Sequence, residues 1–452
     1  MVSEANDSPK KLPLHHRLRA GARALKHRNF RLFFAGQLIS LIGTWMQTVA
    51  QSWLVYRMTG SSLLLGTVGF ASQIPVFIMS PLGGTVADRF NRHRVIIATQ
   101  SISMALASIL AWLTLTHRIH VVHVIVLAAL LGIVNAFDIP ARQAFIVEMV
   151  GKEDLMNAIA LNSSMFNGAR AIGPAVAGVV VAALGEGWCF FLNAASYIAV
   201  IIGLLMMHVV PRVRRKAKHS AFQEFLEGFR FVRHTTPVLA LLLLLGVVSL
   251  VAMPYSVLMP VFADQILHGG ARALGLLMTA SGIGAMFAAV ILAMRQTMRG
   301  LGSWIASASA VFGVGLLLFA WSHTFWLSAA MLIPIGFAMM LEMTASNTLI
   351  QAMVPDHLRG RVMAVYSMMF MGMAPIGSLY AGAAAHAIGA PKTVAIGGVV
   401  CLFASAMFWR RLPAIRTEAR ALILQQAMAG GEPAEQMTTP SQPDEAQEEA
   451  TA

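Results

Sequence analysis

Twelve apolar runs, each about 20 residues or longer, limit what this chain can fold into, because that length crosses the hydrocarbon core of a bilayer as a helix. With soft ends they cover residues 31–56, 63–87, 94–116, 121–145, 156–184, 188–210, 238–263, 272–293, 302–321, 324–350, 361–388 and 391–410. Backbone polar groups in lipid must be satisfied within the chain, and runs of this length do so as helices. The sequence is 57% hydrophobic and only 12% charged, against about 25% charged residues in soluble domains. Too little polar surface exists to cover a water-soluble globule.

The runs are not independent. Residues 132–185 align without a gap on residues 336–389, and 16 of the 54 positions are identical. Five are glycines: Gly132/Gly336, Gly168/Gly372, Gly173/Gly377, Gly178/Gly382 and Gly185/Gly389. The acidic Asp138 falls on the acidic Glu342. This places spans four and five over spans ten and eleven. The predicted fold is an all-α membrane protein of twelve transmembrane helices, arranged as two six-helix bundles related by a parallel repeat. The expected divisions are a basic segment 1–29, a first bundle 30–210, a linker 211–237, a second bundle 238–410 and a tail 411–452.

Loop charges set the expected orientation. Of the 33 Lys and Arg residues, 28 lie on one side, leaving Arg57, Arg118, Arg272 and Lys392 opposite and Arg170 within a span. The positive-inside rule then puts both termini in the cytoplasm of a multi-pass inner (cell) membrane protein. It also accounts for the net charge of +13 without nucleic acid. Residues 1–29 contain no apolar core with a cleavage site, so they do not read as a removable signal. They are expected to be flexible to about Leu14 and then to lie on anionic lipid. In the linker, Phe222, Phe225, Leu226, Phe229 and Val232 share one helical face, which predicts an amphipathic interfacial helix. Beyond Pro413 the apolar pattern fades, and from Gly430 the acidic, Gly- and Pro-containing composition predicts disorder. Cys189 and Cys401 each sit in an apolar run, as buried small residues rather than a disulfide or metal pair.

Few residues inside the spans carry chemistry. Asp138, Arg170 and Glu342 are the clearest ionisable ones. A charge near the bilayer centre costs ~2.5–3.5 kcal/mol on insertion scales, so each should face a partner or a wet cavity. Asp138 reads either as one half of a fixed salt bridge, with Arg92 or Arg142, or as a proton site. For Arg170 the alternatives are a structural hydrogen-bonding role and a cavity role, tuning a proton site or meeting an anionic substrate. Glu342 lacks the repeat equivalent of Arg142, since Ser346 stands there, and its pairing stays open beside a proton-exchange role. On span one, Gln37, Ser40, Thr44, Gln47, Thr48 and Gln51 recur every three or four residues. Lipid would reject that face, so it is expected to line a cavity, joined by Asn162, Ser163 and Asn167 of span five; interhelical hydrogen bonding is the competing reading. Ten of the 29 methionines fall between Met331 and Met373, as gap-fillers or as a surface for varied apolar ligands. His117, His120 and His123 are spaced for one helical face, but no carboxylate or cysteine accompanies them, and no metal is expected.

The loop between spans two and three reads Gly84, three residues, Asp88-Arg89, one residue, Asn91, Arg92, one residue, Arg94. Gly84 suits a helix contact, and Asn91 a turn that tolerates left-handed backbone. This loop resembles motif A of the major facilitator superfamily, with Asn91 at the position of its second glycine. Gly168-Ala-Arg170-Ala-Ile-Gly173-Pro174, continuing to Gly178, is similar to the antiporter motif of span five. Further stretches, including Asp138-Ile-Pro140-Ala-Arg142 and Arg359-Gly360-Arg361, resemble the exporter branch that includes macrolide and siderophore efflux proteins. The likeness runs from about Asn29 to Arg410.

What the resemblance implies is alternating access, with two bundles rocking about a central cavity. Asp88 would lock the closed cytoplasmic side against the start of span eleven, near Arg361. Arg92 would pair with an acid on span four, for which Asp138 is the matching candidate. Gly168, Gly173 and Gly178, with Gly372, Gly377 and Gly382, would let helices approach closely, and Pro174 would loosen span five. The expected activity is proton-driven export of small amphipathic molecules such as drugs, macrolide-like compounds or siderophores. The expected partners are lipid and a small-molecule substrate; no organic cofactor and no obligate protein partner are expected. Alternatives are the same fold carrying lysolipid or a nutrient, or an intramembrane enzyme or receptor. An enzyme would need a nucleophile–base pair or metal cluster inside the spans, and the sequence offers none.

Overall fold

The computed structural model describes residues 23–151, 153–208, 221–295 and 297–429. Twelve helices in it are long and apolar enough to cross a membrane. The first six are Arg28–Thr59, Ser62–Arg89, Arg92–Leu115, Val121–Val150, Leu155–Leu184 and Glu186–Leu205; the last six are Thr236–Ile266, Gly270–Met294, Leu301–Ala320, Phe325–Met353, Asp356–Ile388 and Ala390–Gln426. They are called spans one to twelve. Most run a few residues beyond the apolar stretches, because the terminal turns are polar yet hydrogen-bonded.

The repeat is visible as repeated contacts. Gly132 of span four lies against the Ser72 carbonyl of span two, and its mate Gly336 of span ten against the Ser281 carbonyl of span eight. A Cβ on Gly173 would come within 2.9 Å of the Ile42 carbonyl oxygen of span one, while on its mate Gly377 it would come within 2.5 Å of the Leu250 carbonyl oxygen of span seven. Spans five and eleven end alike. Gly185 and Gly389 adopt φ of +89° and +90°, a conformation that side chains rarely allow. Their N–H groups donate to the repeat-related carbonyls of Val181 and Ala385.

The same symmetry builds the contact between bundles. Gly178 of span five meets Gly275 of span eight, and Gly382 of span eleven meets Gly66 of span two. A Cβ on Gly275 would lie 2.6 Å from the Gly178 Cα, and one on Gly382 would lie 2.8 Å from the Gly66 Cα. All four glycines sit toward the face opposite the chain ends. Toward the face that carries the ends, a Cβ on Gly84 or Gly360 would meet nothing within 4 Å. Close glycine contacts thus join the bundles at one end, and Gly84 and Gly360 face open space at the other.

Symmetry fails in two places, each marked by proline. Span seven has wide, π-type turns at Val248–Ala252 and Phe262–Ile266 around a tight turn at Met253–Leu258. Pro254 and Pro260 lack the N–H groups that a regular helix would use there. Span eleven widens at Met368–Gly372, where the Pro375 ring opposes the Met371 carbonyl.

One expectation about the flanking segments changes. The tail was expected to begin at 411, but span twelve continues as one helix to Ala429. Leu412, Ile415 and Ala419 are buried on it, at spacings that make one helical face. Pro413 does not end the helix. The acidic stretch from Gly430 lies outside the described residues. Arg23 and Lys26 clamp Asp154 at the start of span five, at 3.7 and 2.8 Å. The Ala24 N–H donates to Asn157 Oδ1 at 2.8 Å. Residues 1–22 lie outside the described residues.

Hydrogen bonds from Lys26 and His27 hold the Asp154 carboxyl down to about 2, below the ordinary carboxylate range. A lowered folded value means that the clamp stabilises above pH ~4 and is lost as pH falls toward about 2. Asp154→Asn is expected to remove that acid dependence and to speed hydrogen exchange at the Ala24 amide by about tenfold at neutral pH. An unchanged exchange rate would contradict the clamp.

The linker helix spans Ala221–His234. Gly228 rests on the Arg361 backbone of span eleven, and Glu227 pairs with the Arg361 guanidinium. Val232 is buried while Leu226 and Phe229 are exposed, so the predicted apolar face is only partly covered by protein. The side chains of Phe222 and Phe225 lie outside the described residues.

Candidate functional site

A cavity of about 610 Å³ lies between the bundles, within the range of small-molecule sites. Spans one, two, four, five, seven and eight supply most of its wall. Thr44, Gln47, Thr48 and Gln51 of the predicted polar stripe line it. Gln47 is fixed by Asn193 of span six, which donates to its Oε1 at 2.7 Å. Asn193 and the aromatic Tyr197 and Tyr255 also face the cavity; composition alone did not single them out.

Two of the cavity candidates are elsewhere. Gln37 is 2% exposed and Asn167 is 4% exposed, and neither is among the lining residues. Asn167 spends its amide on the Ser163 carbonyl at 2.9 Å. The three-to-four spacing correctly marks a face that avoids lipid, but it does not separate a helix contact from a cavity wall. Of the ten clustered methionines only Met371 lines the cavity, with Met259 and Met278 from elsewhere.

Arg170 projects from span five into this space beside Pro174. Its guanidinium lies 5.7 Å from the Trp45 ring centroid, and Nη2 is 3.7 Å from the Met339 sulfur of span ten. It thus reaches from one bundle to the other. Trp45 is steadied edge-on by Phe166, with centroids 5.7 Å apart.

Asp138 is buried at 3% exposure. Thr99 donates to it at 2.7 Å and Gln100 at 3.0 Å, while Arg142 stands 3.4 Å away. Of the two bridge partners expected for Asp138, Arg142 is the one present. Arg92 is engaged by a different acid. It reaches Glu148 at 2.9 Å, Asp88 at 3.1 Å and the Ala87 carbonyl at 2.9 Å. The expected Arg92–Asp138 pair is replaced because span four runs on to Val150. That extension brings Glu148 level with the loop, while Asp138 sits ten residues deeper.

The motif loop differs from expectation in two further details. Asn91 is not left-handed: φ is −67° and ψ 110°, and its side chain caps span three by accepting from the Arg94 N–H at 3.3 Å. Such a cap satisfies an N–H that the first helical turn leaves free. The tight helix contact falls on Gly83, against the Ala136 carbonyl, while Gly84 faces open space. Arg89 and Arg94 are exposed. Asp88 is not at Arg361: its side chain is 67% exposed and pairs with Arg92, while Arg361 is held by Glu227.

Glu342, the repeat mate of Asp138, has a different environment. It is 1% exposed, and neither carboxylate oxygen has a hydrogen-bond partner. The neighbouring Ser309 hydroxyl donates to the Ile305 carbonyl instead, and Ser346 Oγ is also unpartnered. Gly168 packs on nothing within 4 Å, whereas its mate Gly372 lies against the Phe77 ring. His123 Nδ1 accepts the His120 backbone N–H at 3.1 Å, closing the start of span four.

Comparisons with known proteins agree with this geometry. The family profile described as transmembrane secretion effector matches residues 20–443. The staphyloferrin A transporter of Staphylococcus aureus is 26% identical over 382 residues, covering 84% of this chain and 95% of that protein. The multidrug efflux pump Tap of Mycolicibacterium fortuitum is 28% identical, covering 78% and 88%. The enterobactin exporter EntS of Shigella boydii is 24% identical, covering 75% and 81%. Among solved structures, the nucleoside transporter NupG superposes with a TM-score of 0.65 at 14% identity, over 86% of this chain and 99% of that one.

Proposed function

Because the chain belongs to the transmembrane secretion effector family of the major facilitator superfamily, we propose that it exports a small amphipathic molecule from the cytoplasm in exchange for protons. Export of small molecules follows from the relatives, which include siderophore and drug exporters. The observation that carries the mechanism is the cavity between two repeat-related bundles joined by glycine contacts near one end. Lys and Arg are concentrated at the end where Gly84 and Gly360 face open space, and by the positive-inside rule this supports reading that end as cytoplasmic and parted, with both termini on the cytoplasmic side. The conformation is then the one that loads substrate from within.

Coupling is assigned to Glu342. A carboxylate with no partner in a membrane interior is costly as an ion. Glu342 does not line the cavity in this conformation, so a proton would exchange there when the second bundle rearranges during the cycle. Asp138, already held by Thr99, Gln100 and Arg142, acts as a fixed brace of the first bundle. Asp88 would take Arg361 from Glu227 when the cytoplasmic end closes.

Accumulation of a panel of siderophores and drugs in an efflux-deficient host tests this reading. At least one compound should be kept out by the protein and should re-enter when an uncoupler collapses the proton gradient. Exclusion that survives the uncoupler overturns proton coupling; no exclusion of any compound overturns export.

A further inference from the structure

The charge of the cavity wall narrows the cargo. Among the described residues that line it are two arginines, Arg142 and Arg170, and no aspartate or glutamate. Arg142 has Asp138 behind it at 3.4 Å. Arg170 has no ion-pair partner among the described residues. Its contacts are a thioether and the face of Trp45. A thioether is a weak acceptor, and a guanidinium offers five donors, so most of its hydrogen-bonding capacity points into the cavity unspent. An intramembrane cation in that condition is costly unless something anionic meets it.

The rest of the wall specifies the remainder of the ligand. Trp45 and Phe166 form an edge-on pair beneath Arg170, and Tyr197 and Tyr255 line the same space. Aromatic faces and edges of this kind favour flat, polarizable ligands. Gln47 and Thr48 add neutral hydrogen-bonding groups.

We infer that the transported molecules are organic anions with a planar aromatic part, anchored through a carboxylate or phenolate on Arg170, and that cationic amphiphiles are poor cargo. This rests on the reading of the chain as an exporter that uses this cavity. A guanidinium binds a carboxylate through two parallel N–H donors, an arrangement that lysine imitates only as a point charge. The position of Arg170, between Trp45 of the first bundle and Met339 of the second, means that an anion bound there touches both halves and reports its presence to both.

The test is equilibrium binding to the purified full-length protein, followed by fluorescence anisotropy of two xanthene dyes. Carboxyfluorescein is the anion and rhodamine 123 the cation. Carboxyfluorescein should bind at least ~10-fold more tightly, a difference of about 1.4 kcal/mol. Arg170→Gln should erase that preference, and Arg170→Lys should keep its sign while weakening it. Equal binding, tighter binding of rhodamine 123, no binding of carboxyfluorescein, or an unaltered preference in Arg170→Gln would each overturn the inference. The preference of the unsubstituted protein needs no variant, so the test survives a variant that fails to fold. Binding needs no gradient either. An anion that binds selectively but is never exported would refute the export reading and leave the cavity assignment standing.

Discussion

Glu342→Gln is expected to abolish uncoupler-sensitive export while the protein still folds and reaches the membrane. The carboxyl group makes no ion pair and no hydrogen bond among the described residues, so an isosteric amide removes no existing partner interaction. Its effect on stability should stay below about 1 kcal/mol, the size expected where no partner is lost. What the amide cannot do is take up and release a proton. Transport driven by the gradient should fall by at least ~100-fold, while exchange of substrate down its own gradient persists. Asp138→Asn should behave in the opposite way. It removes a charge that Thr99, Gln100 and Arg142 all address, and it leaves Arg142 unpaired beside the cavity. Losing one partner of a buried pair costs about 3–5 kcal/mol, so this variant should fail mainly by instability. Thermal melting of both proteins beside the transport assay distinguishes the two. A Glu342→Gln protein that keeps full gradient-driven export would remove Glu342 from the mechanism.

Gly382→Leu is the second large effect. A Cβ there would lie 2.6 Å from the Ser62 carbonyl oxygen and 2.8 Å from the Gly66 Cα. Both neighbours are backbone, so no side chain can swing aside, and spans two and eleven must separate. Overpacking of this kind costs about 1–3 kcal/mol, and the whole cost falls on the conformation that closes the end opposite the chain termini. A bias of ~2.8 kcal/mol is about 100-fold in population. The variant should stand open at that end, bind substrate poorly from the terminal face and transport almost nothing. Gly178→Leu, at the symmetric contact with Gly275, should reproduce the defect. Gly168→Ala is the control from the same sequence motif: nothing lies within 4 Å of its Cβ position, and transport should be unaffected. Equal activity of Gly382→Leu and Gly168→Ala would mean that the glycine contact does not govern closure.

The parts of this molecule that were legible in the sequence are those fixed by local physics or by repetition. A 20-residue apolar run in lipid has little choice but helix, and the 204-residue offset that aligns Gly178 with Gly382 also aligns their structural roles. Tertiary partners were harder to read. Glu148 escaped notice because the apolar run ends near residue 145, whereas the helix is prolonged by a turn that Arg92 holds from the adjoining loop. Asn91 suggested a left-handed turn, but a side chain that can cap a helix spends itself on the next N–H instead. Gln37 and Thr44 lie on one face by count, yet only Thr44 reaches the cavity, because helix crossing buries the turns nearer the chain end. The helix beyond Pro413 has the low hydropathy of a tail; its order comes from Leu412, Ile415 and Ala419 packing back on the bundle.

Alternating access itself is tested most directly by distances measured across both ends of the molecule. Spin labels on Gly84→Cys and Gly360→Cys would report the parted end, where both positions have open space. Labels on Leu63→Cys and Ile388→Cys, both exposed at the opposite end of spans two and eleven, would report the closed one. Cys189 and Cys401 are buried and should stay unlabelled. Pulsed dipolar spectroscopy in lipid nanodiscs should show two populations whose balance shifts with pH and with substrate, the first distance shortening as the second lengthens. A single unchanging distance at each end, or two distances that lengthen and shorten together, would contradict a transporter whose two halves rock about a central cavity.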